Sequence, residues 1–199
     1  MSASSLVGPR PVLADRLPLP LSHVAARDVL LVAGGALLTA AAAQVAVPLP
    51  FTPVPLSGQT FAVLLVAAAL GPLRGSLAQV LYIALAMVGL PFYAEASGGV
   101  EVVFGATGGY VFGFVVASVV VGHLARRGVD RKPVGVIGAY VAGSLIIYSV
   151  GVPWLAAAID VPLLEAVKLG LVPFLIGDAI KAVLAAGLLP AAWKLLGER

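Results

Sequence analysis

The chain is expected to be an all-α membrane protein with six transmembrane helices, both termini cytoplasmic, and Gly/Pro-rich outer loops. Three observations carry that expectation. The 199 residues are 61% hydrophobic and only 11% charged, with a mean hydropathy of +1.09. A soluble domain carries roughly 25% charged residues, so lipid is the natural solvent for most of this surface. Apolar runs also recur along the chain, six in all, and a helical span takes ~20 such residues with roughly 17–25 tolerated. Finally, ten of the twelve Lys and Arg residues fall in segments that alternate crossings place on one side, as the enrichment of short cytoplasmic loops in basic residues requires.

Residues 1–28 read as a cytoplasmic N-terminal tail, with Pro9, Pro11, Pro18 and Pro20, the bases Arg10, Arg16 and Arg27, and room for a short amphipathic piece near Arg27. Residues 29–196 read as the transmembrane domain. Its first run, 29–47, is taken as a span and not as a cleaved signal, because the region before it is too long for one and similar runs follow. Pro48, Pro50, Pro53 and Pro55 then break the helix, since each proline lacks an N–H and disfavours helix in the residue before it. Gln59 and Thr60 open the second run, 61–70, which is short for a span. The turn 71–75 leads to the third run, 76–90, carrying Gln79 and Tyr82. The fourth, 110–124, ends at the basic turn holding Arg126, Arg127, Arg131 and Lys132. The fifth is 134–152, residues 153–168 are expected to be a connector, and the sixth is 169–189.

Between the third and fourth runs lies a stretch, 91–114, with Gly98, Gly99, Gly105, Gly108, Gly109 and Gly113. It holds the aromatics Tyr93, Phe104 and Tyr110 and no Lys or Arg. Glycine lets backbone approach a ligand closely, so the stretch is a candidate pocket wall. The sixth run alone carries opposite charges, Asp178 and Lys181. Spaced by three, they share a helix face, and ionised groups in a span commonly face a bundle interior or wet cavity and mark function. Asp178 suits N–H donors of a ligand; Lys181 suits a carboxylate or orients Asp178, and the pairing is open at this point. Gln59, Thr60, Gln79 and Tyr82 are polar groups that need partners if buried. Small residues spaced by four in the first run, Ala36/Ala40 and Ala42/Ala46, offer a face on which another membrane helix can pack closely.

Several classes fall away. The basic residues mark topology, with no patch interleaved with stacking aromatics for nucleic acid. His23 and His123 lie far apart and there is no Cys, so a metal site is not expected. The sequence has no Gly-Lys-Ser/Thr phosphate loop, no HExxH and no GxSxG, and enzyme chemistry is not expected.

Pro50-Phe51-Thr52-Pro53-Val54-Pro55 with Gln59-Thr60, Leu70-Gly71-Pro72 with Gly75, Tyr82, Gly89-Leu90-Pro91-Phe92, and Gly105-Ala106-Thr107-Gly108-Gly109-Tyr110 with Gly113-Phe114 together resemble the BioY family. Its members are the biotin-specific substrate-binding (S) components of energy-coupling-factor (ECF) transporters. The resemblance spans about 36–189. It implies a six-helix, multi-pass protein of a prokaryotic plasma membrane, embedded in lipid, that binds biotin from outside without a cofactor. It also implies partnership with a transmembrane coupling subunit and two cytoplasmic ATPases. The coupling subunit would meet Ala36, Ala40, Ala42 and Ala46. The biotin site would include Asp178 and Lys181, with Gln59, Thr60, Tyr82, Tyr93, Gly98, Gly99, Thr107, Gly108, Gly109 and Tyr110 as further candidates. The sequence departs from the family pattern at Ala106, where Pro is common, at Ser57-Gly58, and at Tyr93, where Phe is usual. The alternatives are an S component for another vitamin, or a proton-coupled secondary transporter using Asp178.

Overall fold

The computed structural model describes residues 10–18 and 23–196. Over those residues the chain is a bundle of helices: α1 (Val24–Ala43), α2 (Gln59–Leu70), α3 (Pro72–Met87), the short α4 (Val100–Phe104), α5 (Gly108–Arg126), α6 (Pro133–Ala158), α7 (Leu163–Gly170) and α8 (Leu175–Leu195). A small antiparallel hairpin pairs β1 (Ala46–Val47) with β2 (Leu56–Ser57), Ala46 opposite Ser57. The prolines of 48–55 form the loop of that hairpin.

Each apolar run of the sequence is mostly helical. Among the described residues, four stretches are long and apolar enough to cross a membrane: Val24–Ala43, Gly108–Arg126, Pro133–Ala158 and Leu163–Leu195. The helices α2 and α3, with 12 and 16 residues, are shorter. The helix α5 is the central element: 61% of its apolar window is buried, against 22% for α1. Leu145, Ile176, Val183, Leu184 and Leu188 point outward more than half exposed. A continuous apolar surface of this kind is not tolerated by a soluble monomer and suits lipid, which makes this a multi-pass membrane protein.

The structure departs from the sequence reading in three places. First, α1 begins at Val24 and residues within the expected tail are packed: Val12 and Ala14 are buried, and the Arg10 N–H donates to the Arg126 carbonyl at 3.0 Å. Arg74 reaches Asp15 at 2.7 Å and Asp28 at 2.8 Å, while Arg27 donates to the Ala14 carbonyl. Such part-exposed ion pairs contribute little; burial of Val12, Leu13 and Ala14 is the stronger reason the strap stays down. The remainder of the expected tail, residues 1–9 and 19–22, lies outside the described residues. Second, α6 runs through Pro153 to Ala158 where a connector was expected. Proline inside an apolar helix is tolerated when neighbours anchor the adjoining turns, and here the Trp154 Nε1–H donates to the Gly105 carbonyl at 2.9 Å. Third, α7 fills the latter part of the expected connector 153–168, and a short 3-10 turn, Val172–Phe174, containing Pro173, interrupts the start of the sixth run, so that α8 begins only at Leu175.

A candidate ligand cavity at the loop end of the bundle

The hairpin, the 88–99 segment and α4 gather at one end of the bundle, over a cavity of about 220 Å³. Its walls come from the hairpin (Pro53, Val54, Pro55, Ser57), the loop before α4 (Tyr93, Ala94, Glu95, Ser97), and the starts or middles of α2, α5, α6 and α8. Most of the lining is apolar, with polar groups clustered at a few points, the usual make-up of a small-ligand site.

The main cluster forms where α8 begins. The break at 171–174 starts the helix at Leu175, so Asp178 lies in its first turn, where the unpaired N–H groups favour a negative charge. The break therefore places Asp178 and Lys181 within the first two turns of α8. The Tyr148 hydroxyl donates to Asp178 Oδ2, and Lys181 Nζ lies 3.4 Å from Oδ1. Lys181 also donates to Thr60 Oγ1 at 2.7 Å. The Tyr140 hydroxyl donates to the Thr60 carbonyl at 3.3 Å, and the Tyr110 hydroxyl to the Gly170 carbonyl at 2.8 Å. The Tyr110 and Tyr148 rings meet edge-on at 6.3 Å. Burying charge is costly unless the partners are good; here Thr60 of α2 and Tyr148 of α6 supply them to the pair on α8.

A second cluster fixes Gln59. Its Nε2 donates to the Tyr82 hydroxyl at 2.7 Å, and Ser57 Oγ donates to its Oε1 at 3.0 Å. Tyr82 is fully buried and packs edge-on against Tyr93 at 5.6 Å. The Tyr93 hydroxyl donates to the Ile83 carbonyl at 3.3 Å, and burial pushes its pKa up to about 12.

Seven of the expected ligand residues therefore line one cavity: Gln59, Thr60, Tyr93, Thr107, Tyr110, Asp178 and Lys181. Tyr82 stands behind it, acting through Gln59. Gly98, Gly99, Gly108 and Gly109 do not line it. Gly99 has φ +104, a conformation that favours glycine, and caps α4. A Cβ on Gly109 would sit 2.2 Å from Trp154 Cβ, so this glycine lets α5 close onto α6. Gly98 and Gly108 press in the same way on the Leu90 and Val103 carbonyls. Gln79 is also elsewhere, donating to Thr39 Oγ1 at 3.3 Å between α3 and α1.

The expected docking alanines need correction too. Ala36 and Ala40 are buried in the core and face the protein's own helices. Ala42 and Ala46 do not share a helix face, because α1 ends at Ala43 and Ala46 belongs to β1. The spacing of Ala36 and Ala40 marks a close-packing face that is covered within the chain. Sequence reasoning missed Tyr148, Ile147 and Phe174 in the lining. Tyr148 had a signal: a hydroxyl within an apolar run needs a buried partner.

An apolar helical bundle enclosing such a cavity, with a carboxylate and an ammonium held on one wall, defines a membrane-embedded protein that holds a small ligand. The comparisons make the class specific. The BioY family model matches residues 15–198, and the chain belongs to that family. The biotin transporter BioY of Thermotoga maritima is 39% identical over 140 residues, covering 70% of this chain and 81% of the relative. A probable biotin transporter BioY of Pyrococcus horikoshii is 37% identical over 160 residues, covering 80% and 92%. Among solved structures, the crystal structure of the S-component for biotin from an ECF-type ABC transporter aligns with TM-score 0.78 at 24% identity, over 88% of this chain and 95% of that one. That likeness establishes the fold.

Proposed function

We propose that this protein captures biotin at the outer face of a prokaryotic plasma membrane, as the S component of an ATP-driven ECF importer. In this reading α1, α2, α3, α5, α6 and α8 all span the bilayer, residues 29–196 forming the substrate-binding domain. The basic residues set the orientation: the α2–α3 junction with Arg74, the α5–α6 turn and both termini face the cytoplasm, and the cavity opens outside. The partners are a transmembrane coupling subunit and two cytoplasmic ATPases. No cofactor and no catalytic step is involved.

The observation that carries the biotin assignment is the side-by-side acceptor and donor at Asp178 and Lys181, held by Tyr148 and Thr60 on a cavity wall that is otherwise largely apolar. A cyclic urea presents an N–H and a C=O next to each other, the complement of that pair. The thiophane ring then meets apolar lining such as Phe114, Ile147 and Phe174, and the carboxylate tail points toward the mouth. Seven of the expected ligand residues fall within reach: Gln59, Thr60, Tyr93, Thr107, Tyr110, Asp178 and Lys181.

Calorimetry on the detergent-purified protein tests the reading, with biotin, its neutral carboxamide, and unrelated vitamins side by side. Sub-micromolar binding of biotin, a small loss for the carboxamide, and no binding of the others is expected. Tight binding of another vitamin in place of biotin refutes the assignment. Uptake by the protein alone that follows a pH gradient and ignores ATP refutes the ECF reading.

A further inference from the structure

The loop that supplies Tyr93, Ala94, Glu95 and Ser97 to the cavity wall is locally unfavourable. Glu95 and Ala96 sit at φ +60 and +53, consecutive non-glycine residues in the left-handed region that L side chains avoid. Internal bonds shape the turn: the Tyr93 N–H to the Ser97 carbonyl at 2.9 Å, and Ser97 Oγ to the Ala94 carbonyl at 2.7 Å. They do not attach it to the bundle.

The Tyr93 side chain anchors the loop to α3 through Tyr82 and the Ile83 carbonyl, and the Gly99 N–H bonds the Ala86 carbonyl at 2.8 Å; the backbone between them, at 91–96, is held by one side chain at the end of α1. Gln44 Oε1 accepts the Ala96 N–H at 3.1 Å, at the unfavourable residue itself. Its Nε2 is shared between the carbonyls of Pro91 at 3.3 Å, Tyr93 at 3.2 Å and, in its own helix, Ala40 at 3.0 Å. The next residue, Val45, accepts the Gly58 N–H at 2.9 Å and so ties in the hairpin wall. The loop wall and the hairpin wall of the cavity are thus both fastened at one helix end.

We infer that Gln44 is a positioning residue for ligand retention, the latch that keeps the 91–97 loop closed over the cavity. It touches no ligand; it acts through the loop backbone. The retention half of the inference rests on the biotin reading, and the latch half does not.

The test uses the full chain in detergent with Gln44→Ala, and with Gln44→Glu, which keeps the chain length and the acceptor for Ala96 but loses both donors. Amide hydrogen exchange is measured without ligand, and biotin association and release by stopped flow. In Gln44→Ala, amides of 93–99 should exchange at least tenfold faster while those of α5 and α6 hold. Biotin release should quicken at least tenfold with association no slower, and Gln44→Glu should fall between. A structural defect elsewhere would move α5 and α6 as well. Unchanged exchange at 93–99 overturns the latch, and faster exchange with unchanged release overturns the retention role. If wild type binds no biotin but Gln44→Ala loosens 93–99, the biotin reading fails and the latch stands.

Discussion

Replacing Asp178 by Asn removes one charge without changing shape, so it isolates what the carboxylate contributes. Tyr148 can still donate to the amide oxygen, and no cavity opens. The loss falls on two interactions: the contact with Lys181 at 3.4 Å and, in the proposed reading, a hydrogen bond from the ligand's N–H. A hydrogen bond to a charged group contributes about 1.5–3 kcal/mol, roughly twice a neutral one. Neutralising the acceptor, with the amide oxygen still able to accept, therefore costs about half of that, roughly 0.8–1.5 kcal/mol of binding, which is roughly four- to twelvefold in Kd at 1.4 kcal/mol per tenfold. Calorimetric titration of biotin against wild type and Asp178→Asn reads this directly, with a thermal melt confirming that the variant is folded. Affinity within threefold of wild type in a folded variant refutes the reasoning: Asp178 would then only fix Lys181 and Tyr148, and the ligand's polar edge would bind elsewhere.

Other perturbations test the supports of the site. Tyr82→Phe leaves Gln59 Nε2 without its acceptor, and should cost about 1–3 kcal/mol of stability while also weakening biotin; a melt and a titration together check it. Gly109→Ala forces a Cβ to within 2.2 Å of Trp154 Cβ, and overpacking of this kind costs about 1–3 kcal/mol, read as a lowered Tm with the α5–α6 contact displaced. Ala36→Leu should destabilise the isolated protein by a similar amount, because Ala36 is fully buried; an unchanged melt would return this residue to the partner-facing surface. Tyr93 gives a pH signature. Its pKa is raised from 10.0 to about 12 by burial, so its contribution is intact below pH 10 and fades as pH rises toward 12. The alkaline loss of stability should be shallower in Tyr93→Phe, and identical profiles would show that the hydroxyl does not report on the loop.

The positions of the helices were legible because apolar runs between Gly, Pro and basic punctuation are a strong signal. Their ends were not. Pro153 looked like a stop, but Trp154 pins the following turn from another helix, and no local rule contains that contact. The break at Pro173 was hidden inside a run whose hydropathy stays high. Asp178 and Lys181 stood out because charge is rare in these runs, whereas Tyr148 did not, since its partner lies thirty residues away. Glycine was the ambiguous letter. The 98–109 glycines serve close backbone packing and a turn, a use that shares its sequence appearance with a ligand-contacting wall. Spacing of alanines likewise reported that a face is small and was silent on which neighbour covers it.

The break before α8 also bears on how the chain is made. A helix entering the bilayer from the insertion machinery is charged most for ionised residues near its centre, about 2.5–3.5 kcal/mol each. Starting α8 at Leu175 puts Asp178 and Lys181 toward one end of a 21-residue helix, leaving Ala182–Ala192 as an uninterrupted uncharged stretch. In the proposed orientation that end lies toward the outer interface, and Thr60 and Tyr148, which precede α8 in the chain, receive the pair. The kink that presents these two groups to the cavity thus also lowers the barrier to threading the last helix into the membrane.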